Sequence, residues 1–310
     1  MSIQLIAIDI DGTLLPSTGP KISPRNCAAL QAAEAAGIEI VISTGRRQAY
    51  AMPLIAQVGL SENSVMISSN GAVVRGFDGQ LLDRRFLPIE TARQLCSQLQ
   101  GYGTLVFTFD REGVGALVIE SFQQLHARID RWVEANKPYL VEFQPIERAF
   151  DGGEEPIQGM ICGTVAEMVE AEKQLLLSDV AEQIAMQRTE YAARNLSILD
   201  LLPPGCSKGA ALDSLARIRG LEREEIMAIG DNLNDLEMLE YAGHAVVMAN
   251  ASEEVRALAR RRGWELTASN DDDGVARAVE GVLRQRVTTQ DTGPNGEETI
   301  TAGPVVQFAQ

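Results

Sequence analysis

The sequence has 310 residues, of which 45% are hydrophobic and 23% are charged, a composition typical of a folded globular protein. A chain of this length exceeds the usual size of one hydrophobic core, so we expect two domains. The formal net charge of −16 argues against a nucleic-acid partner or an anionic membrane surface, because both require clustered Lys and Arg. A small anionic substrate needs only a local cationic pocket and remains compatible with this charge.

The N-terminus and the cysteines indicate the compartment. The chain enters a short apolar strand without a basic leader, and no apolar run approaches the length of a membrane span. The cysteines are scattered without a C-x-x-C pair, which favours free thiols over a disulfide or zinc site: Cys27, Cys96, Cys162 and Cys206. We therefore expect a soluble cytoplasmic protein with no membrane partner. The two isolated histidines, His126 and His244, are interpreted as structural.

The first elements alternate between strand and helix. The apolar run "IQLIAIDI" predicts a strand, "SPRNCAALQAAEAAG" a helix and "IEIVIST" a second strand. Ser23 suits the N-cap of that helix, Pro24 its first position and Gly37 its end. Strands joined through a helix in this way form a parallel sheet that is covered on both faces.

The middle of the chain has a different character. From residue 84 to residue 188 short paired strands mix with helices, as in "TLVFTFD" and "ALVIE" around the turn "REGVG". The strand and helix alternation then resumes. We therefore predict an α/β fold: a doubly wound parallel-sheet core formed by residues 1–83 and 189–284, with an inserted α+β domain at 84–188. Residues 285–310 lack a sustained period and are interpreted as a flexible tail.

Polar residues follow several predicted strands at the point where each strand ends. Asp9 and Asp11 follow the first strand, and the stretches "STGR" (43–46), "SSNG" (68–71) and "GDNLND" (230–235) follow later ones. Lys208 opens a helix that can point to the same place. Because an open parallel sheet binds ligands beyond the carboxyl ends of its strands, we expect these groups to meet in one site.

These residue types suit a phosphate bound beside a divalent cation. Mg²⁺ prefers oxygen ligands, which Asp9, Asp231, Asp235 and the Asp11 carbonyl can provide. The Thr44 hydroxyl, the Asn70 amide and the Lys208 ammonium suit phosphoryl oxygens. Each motif alone is also typical of an ordinary polar turn or helix cap, so the prediction depends on their joint occurrence. The Asp-x-Asp-Gly turn does not fit a calcium-binding EF-hand loop, because Leu14 and Pro20 replace the required Gly and Glu.

Five stretches carry a family resemblance: "DIDGTLL", "STGRR", "SSNGAVV", "PPGCSKGAAL" and "GDNLNDLEML". They resemble the motifs of the haloacid dehalogenase (HAD) superfamily of phosphatases, specifically the Cof-type branch (type IIB) with an α+β cap of the C2B kind. The resemblance runs from Ile3 to Leu283 and implies that the inserted domain is the cap. One departure is Ala249, where many relatives have Gly. Nothing in the cap carries over residue by residue.

The resemblance also implies roles for individual residues. Asp9 would be the nucleophile that forms an aspartyl-phosphate, and Asp11 the general acid and base. The metal would be held by Asp9, Asp11, Asp231 and Asp235. The phosphate and substrate would be bound by Thr44, Gly45, Arg46, Asn70, Gly71, Lys208 and Asn234.

The function implied is Mg²⁺-dependent hydrolysis of small phosphorylated metabolites such as sugar phosphates. A phosphomutase of the same fold is an alternative, because it uses the same aspartate pair to move a phosphate between positions. A phosphorylatable switch module is another, although Asp11 argues against a long-lived acyl phosphate. The acidic loop "DGGEE" would disfavour anionic leaving groups if it faced the site, and its placement does not follow from the sequence.

Overall fold

A computed structural model describes residues 2–102, 105–125 and 129–291. An eight-stranded sheet forms the core, in the order β14-β13-β12-β1-β2-β3-β4-β5. Pairing is parallel from β14 to β3 and antiparallel at β4 and β5. The strands are β1 (Leu5–Ile8), β2 (Glu39–Ser43), β3 (Val65–Ser68), β4 (Val73–Gly76), β5 (Leu81–Arg84), β12 (Ile226–Gly230), β13 (His244–Val247) and β14 (Glu265–Leu266).

Helices cover both faces of the core sheet. One face packs against α1 (Pro24–Ala35), α2 (Gln48–Ile55) and α9 (Gly274–Asp291). The other packs against α6 (Lys208–Arg219), α7 (Leu236–Tyr241) and α8 (Glu253–Arg262). Alternate residues of β1 explain this arrangement, since Ile6 and Ile8 join the first cluster while Leu5 and Ala7 join the second. The predicted doubly wound fold is therefore confirmed.

Local signals place the first helix as predicted. The Ser23 hydroxyl accepts the backbone N–H of Asn26 at 3.1 Å and caps α1, which begins at Pro24. Gly37 follows the helix with φ +80°, a conformation that residues with a Cβ rarely adopt.

The part of the chain between β5 and β12 forms a second sheet of six strands, in the order β10-β11-β9-β6-β7-β8. Its strands pair antiparallel except for β7 with β8. Helices α3 (Ile89–Gln98) and α5 (Val165–Leu176) cover one face, and α4 (Asp130–Asn136) lies on the other. The strands are β6 (Val106–Thr108), β7 (Leu117–Ile119), β8 (Leu140–Glu142), β9 (Gln158–Gly163), β10 (Ala185–Tyr191) and β11 (Leu196–Leu202).

The insert does not end at residue 188 as predicted, because the strand pairing of the second sheet continues beyond that residue. Residue 188 lies inside β10, which pairs along its whole length with β11, and β11 pairs with β9. The second sheet therefore continues to Leu202. The apolar run of β11 resembles a buried core strand, and only its pairing partners assign it to the second sheet.

The predicted start of the tail at residue 285 is also wrong. The helix α9 continues to Asp291, and the Arg286 guanidinium donates to the backbone carbonyls of Ala36 (2.7 Å) and Ile3. These contacts tie the end of the helix to the core. Residues 292–310 of the predicted tail lie outside the described residues.

The remaining sequence predictions concern single residues and membrane spans. All four cysteines are free thiols, as predicted. His244 is an exposed residue at the start of β13, and His126 lies outside the described residues. Among the described residues, no helix is both long and apolar enough to cross a membrane.

Candidate active site

The predicted site residues meet at one edge of the core sheet. Strands β12, β1, β2 and β3 are consecutive neighbours and parallel, so their carboxyl ends lie side by side. Asp231, Asp9, Thr44 and Ser69 each directly follow one of these strands. Lys208 is the first residue of α6, whose N-terminus faces the same edge through the contact of its ammonium with Asp9. The prediction that these motifs converge is correct.

Three buried carboxylates and one lysine form the centre of the site. Ligand oxygens of Asp9, Asp231 and Asp235 lie within 4.8 Å of one another. The Lys208 ammonium, fully buried, donates to Asp9 Oδ1 and to Asp235 Oδ1, both at 2.6 Å. One cation therefore faces three carboxylates, which leaves the cluster with an excess of negative charge.

The pKa values reflect this excess. Burial, followed by repulsion from Asp235, raises the pKa of Asp9 to about 7 despite the attraction of Lys208. Burial and the neighbouring Asp9 raise the pKa of Asp231 well above its ordinary value. The Lys208 pKa is also raised, because Asp235 and Asp9 outweigh the effect of burial. A divalent cation bound by the three carboxylates would relieve this repulsion, so the donor set fits such an ion.

Backbone geometry holds the carboxylates in place. The Asp235 Oδ2 accepts the N–H groups of Asp231 and Asn232, both at 3.0 Å. The Thr13 hydroxyl donates to Asp231 Oδ1 at 2.9 Å. Gly12 has φ +87°, and a Cβ there would lie 2.3 Å from Asp231 Oδ2. The turn after β1 therefore requires glycine both for its conformation and for the approach of Asp231.

Asp11 occupies a different environment from Asp9. The Arg46 guanidinium donates to Asp11 through two bonds, Nε to Oδ2 at 2.7 Å and Nη2 to Oδ1 at 2.6 Å. The sequence predicted phosphate or substrate contact for Arg46, and in this structure the arginine instead holds the predicted acid and base. Such a two-bond pair fixes the orientation of the carboxylate.

Asn70 connects the core to the second sheet. Its backbone has φ +52°. Its Nδ2 donates a hydrogen bond to Asp200 Oδ2 at 2.8 Å. Its Oδ1 accepts a hydrogen bond from Asn234 Nδ2 at 3.0 Å. Asp200 lies in β11 and also accepts Gln158 Nε2 at 2.5 Å. Burial raises the pKa of Asp200 to about 7, although the bonds from Gln158 and Asn70 oppose the shift. The sequence analysis missed Asp200; a single acidic residue inside the apolar run "ILDLL" was the available signal.

The other predicted binding residues are packed around Asn70. The Thr44 side chain is buried, and its hydroxyl accepts the backbone N–H of Arg46 at 3.1 Å. A Cβ at Gly45 would come within 3.1 Å of the Asn70 amide, and one at Gly71, where φ is +100°, within 2.2 Å of the Ser207 carbonyl. Both glycines therefore permit close packing at the site.

A cavity of about 290 Å³ separates the catalytic edge from the second sheet. Asp9, Asp11 and Arg46 line its core side. The rest of the wall was not predicted, and only Arg47 and Asn232 of its residues lie in the quoted motifs: Arg47, Tyr50, Thr108, Leu117, Ile129, Arg131, Trp132, Asn136, Gln158, Met160, Thr189, Tyr191, Arg194, Leu196, Ile198, Asp200 and Asn232. Gly45 and Asn234, both predicted, also reach this wall.

The acidic loop "DGGEE" does not line this cavity. Asp151 pairs with Arg93 at 3.2 Å, and Glu154 pairs with Arg111 at 2.7 Å. Both pairs are largely exposed. The loop therefore imposes no direct charge repulsion on a ligand in the cavity.

Hydrogen bonds join the second sheet to the core. Asn232 and Glu190 exchange two bonds: Asn232 Nδ2 donates to the Glu190 carbonyl at 3.0 Å, and Glu190 N–H donates to Asn232 Oδ1 at 3.1 Å. Gln187 of β10 donates to Glu237 Oε1 at 2.9 Å. These bonds fix β10 beside Asn232 and α7 of the core.

Comparisons with known proteins agree with this site. The family model for haloacid dehalogenase-like hydrolases matches residues 6–279. The chain is 30% identical over 304 residues to the 5-amino-6-(5-phospho-D-ribitylamino)uracil phosphatase YwtE of Bacillus subtilis, covering 91% of this chain and 98% of the relative. It is 30% identical over 258 residues to the HMP-PP phosphatase of Serratia proteamaculans, covering 82% and 87%.

A solved structure shares the whole architecture. The HAD subclass IIB sugar phosphatase BT4131 superposes with a TM-score of 0.73 at 25% identity, over 90% of this chain and 99% of that one. The carboxylate cluster, its lysine and the two-sheet arrangement thus occur in a chain whose sequence matches one family along most of its length. The protein belongs to the haloacid dehalogenase-like hydrolases.

Proposed function

We propose that the protein is a Mg²⁺-dependent phosphatase that hydrolyses small phosphorylated metabolites, sugar phosphates among them, through an aspartyl-phosphate. The observation that carries this proposal is the buried cluster of Asp9, Asp231 and Asp235, which is paired with Lys208 and reaches a cavity through Asp9. Two relatives bear the names of phosphatases that act on small phosphorylated compounds, which supports the same class of substrate.

Asp9 is the nucleophile in this proposal. One of its carboxylate oxygens forms a bond to phosphorus while the bond from phosphorus to the leaving oxygen breaks. Lys208 stabilises the ionised form that attacks, because its ammonium donates to Asp9 Oδ1. Asp11 donates a proton to the leaving oxygen, so the product of this step is a neutral alcohol.

Water completes the cycle. Its oxygen attacks phosphorus, its proton passes to Asp11, and the bond from Asp9 to phosphorus breaks to release inorganic phosphate. Arg46 holds the Asp11 carboxyl group in a fixed orientation for this transfer, because both its bonds run to that group. Asp11 is protonated again at the end, so both aspartates return to their starting states.

Asp9, Asp231 and Asp235, with the Asp11 carbonyl, would hold the Mg²⁺. When bound, the ion supplies positive charge beside the nucleophile and the phosphoryl oxygens. The Thr44 hydroxyl and the Asn70 amide bind phosphoryl oxygens in this proposal, and the second sheet keeps bulk water from the cavity. The four free thiols support a reducing, cytoplasmic location.

The test is phosphate release from a panel of sugar phosphates and an activated aryl phosphate. We expect release that requires Mg²⁺, is lost when EDTA is added, and returns when Mg²⁺ is restored. Phosphate transfer to another position of the sugar, with a requirement for a bisphosphate, would indicate a mutase instead. No release from any compound in the panel would refute the proposal.

A further inference from the structure

Arg47 carries a positive charge that has no carboxylate partner among the described residues. Its guanidinium lies over the Tyr139 ring, with Cζ 3.9 Å from the ring centroid, and Nη2 reaches Asn136 Oδ1 only at 3.5 Å. Its Nε is buried and without a hydrogen-bond partner among those residues. Burial lowers the pKa of Arg47. The positive charge of a half-buried cation surrounded by neutral groups is not compensated, and a bound anion would compensate it.

Other arginines near the cavity differ from Arg47 because each has a carboxylate partner. Arg46 forms two bonds to Asp11, Arg75 pairs with Asp110 at 2.8 Å, and Arg188 pairs with Glu172 at 2.9 Å. Arg47 directly follows Arg46 but points to the opposite side of the cavity, since its contacts Asn136 and Tyr139 follow β7 in the second-sheet region. Its charge therefore lies against the second-sheet region rather than on Asp11.

The same side of the cavity gathers further positive charge. Arg131 of α4 and Arg194 of the turn between β10 and β11 also line it. The one carboxylate that the second sheet adds to the lining is Asp200, and both its oxygens already accept bonds from Asn70 and Gln158. In a chain with a net charge of −16, Arg47 and Arg131 therefore bring positive charge to one side of a small cavity.

Apolar and aromatic side chains form much of the rest of the cavity wall, beside the polar Thr108, Gln158 and Thr189. Leu117, Met160 and Ile198 project from the second sheet, and Trp132 and Tyr191 add rings to the same wall. Such a wall suits a carbon skeleton or a planar ring better than a leaving group covered with hydroxyl groups. The cavity thus combines the carboxylates Asp9 and Asp11 on its core side with apolar side chains and arginines on the rest of its wall.

We infer that the leaving group of the substrate carries an anionic group of its own, a carboxylate or a phosphoryl group, which binds Arg47 with support from Arg131. This inference rests on the proposed phosphatase function and narrows its substrates to phosphomonoesters with a second negative centre. The guanidinium groups donate charge-assisted hydrogen bonds to that centre. Arg47 is then a specificity residue, because its contact lies away from the reacting phosphorus.

The test compares three aryl phosphates of similar shape. The first carries a 4-carboxylate, the second a neutral 4-carbamoyl group, and the third a 4-phosphonomethyl group that cannot be hydrolysed at its own phosphorus. In the wild-type protein with Mg²⁺ we expect kcat/KM for at least one anionic ester to exceed that for the carbamoyl ester about tenfold. If kcat/KM is higher for the carboxylate ester, the anionic group of the substrate is a carboxylate; if it is higher for the phosphonate ester, that group is a phosphoryl group.

Variants assign the preference to Arg47. In Arg47→Gln the ratio of anionic to neutral kcat/KM should fall to about one, while Arg217→Gln, at an exposed arginine paired within α6, should keep the wild-type ratio. A wild-type ratio near one for both anionic esters, or a ratio that persists in Arg47→Gln, would overturn the inference.

The inference and the proposed function fail in different ways. If none of the esters is hydrolysed, the phosphatase proposal fails, and calorimetric titration of the same three compounds into wild-type protein decides the inference alone. Tighter binding of an anionic ester than of the carbamoyl ester, lost in Arg47→Gln, supports it. Equal binding of all three contradicts it.

Discussion

The two sheets of this protein contribute opposite kinds of surface to one cavity. The core sheet presents carboxylates that follow parallel strands and are held by backbone bonds and by Lys208. The second sheet presents an apolar face with scattered arginines and one buried carboxyl group. Under the proposed function the contrast separates two tasks: the core side would break the phosphate ester, and the second sheet would select the ester that binds.

The largest effect is expected on the core side, from Asp9→Asn. Removal of the nucleophile should lower kcat by at least about 10³-fold. Folding should persist, because an amide lacks the charge that burial and Asp235 disfavour at this position. Steady-state phosphate release and the thermal unfolding midpoint measure the two effects.

The matched control is Asp151→Asn in the exposed loop of the second-sheet region. It should keep kcat within about twofold, as is usual for a surface charge. Retention of most activity in Asp9→Asn would show that Asp9 is not the nucleophile.

Gly12→Ala should have the next largest effect. Gly12 and Gly19 both have positive φ, +87° and +101°, so alanine costs about 1–2 kcal/mol of backbone strain at either position. Only at Gly12 does the new Cβ meet Asp231, at 2.3 Å from Oδ2, while nothing lies within 4 Å at Gly19. We expect Gly12→Ala to lose about tenfold or more in kcat and Gly19→Ala to lose stability alone. Equal activity of the two variants would contradict the tight packing of Asp231.

On the second-sheet side, Asp200→Asn should change how stability depends on pH. The pKa of Asp200 rises from 3.8 to about 7 on folding, so between those pH values the folded state binds more protons than the unfolded state. This group therefore makes the wild-type protein less stable as pH rises from about 4 to about 7. Asp200→Asn removes that loss, and its stability relative to wild type should increase over this range by an amount on the order of 2–4 kcal/mol.

Denaturant unfolding of both proteins at several pH values measures this difference. The groups facing Asp200 are Gln158, Asn70 and Lys208, and the first two do not titrate in this range. A stability difference that stays constant from pH 4 to pH 7 would show that the Asp200 pKa is not raised.

The smallest effect is expected from Glu154→Gln in the acidic loop. The pair with Arg111 is exposed on both sides, so its loss should change stability by less than about 1 kcal/mol. Because the loop does not line the cavity, kcat/KM for anionic esters should stay within about twofold of wild type. A clear rise in kcat/KM for anionic esters would show that the loop lies close to the bound substrate, which would contradict its position outside the cavity lining.

The sequence was informative where chemistry requires fixed residue types at strand ends. Asp9, Asp231 and Lys208 are far apart in sequence, yet each belongs to a short local pattern, and adjacent parallel strands must bring those patterns to one edge. The doubly wound fold followed from the same alternation. Here local signals and the overall topology agree.

The sequence was less informative where a role depends on pairing across the structure. Strand β11 was assigned to the core because its apolar run has no feature that names its partner, and α9 was ended too early because the contacts of Arg286 are distant in sequence. Arg131 and Asp200 belong to no motif, and Arg47 ends the motif "STGRR" without an assigned role. Their importance lies in the charges and rings around them, which only the folded chain brings together.

The stereochemical course at phosphorus tests the central claim most directly, because it does not require the intermediate to accumulate. A phosphomonoester with a chirally labelled phosphoryl group would be hydrolysed in labelled water and the configuration of the released phosphate determined. Transfer first to Asp9 and then to water inverts phosphorus twice, so the account predicts overall retention. Overall inversion would show a single direct attack by water and would contradict the role of Asp9 as nucleophile.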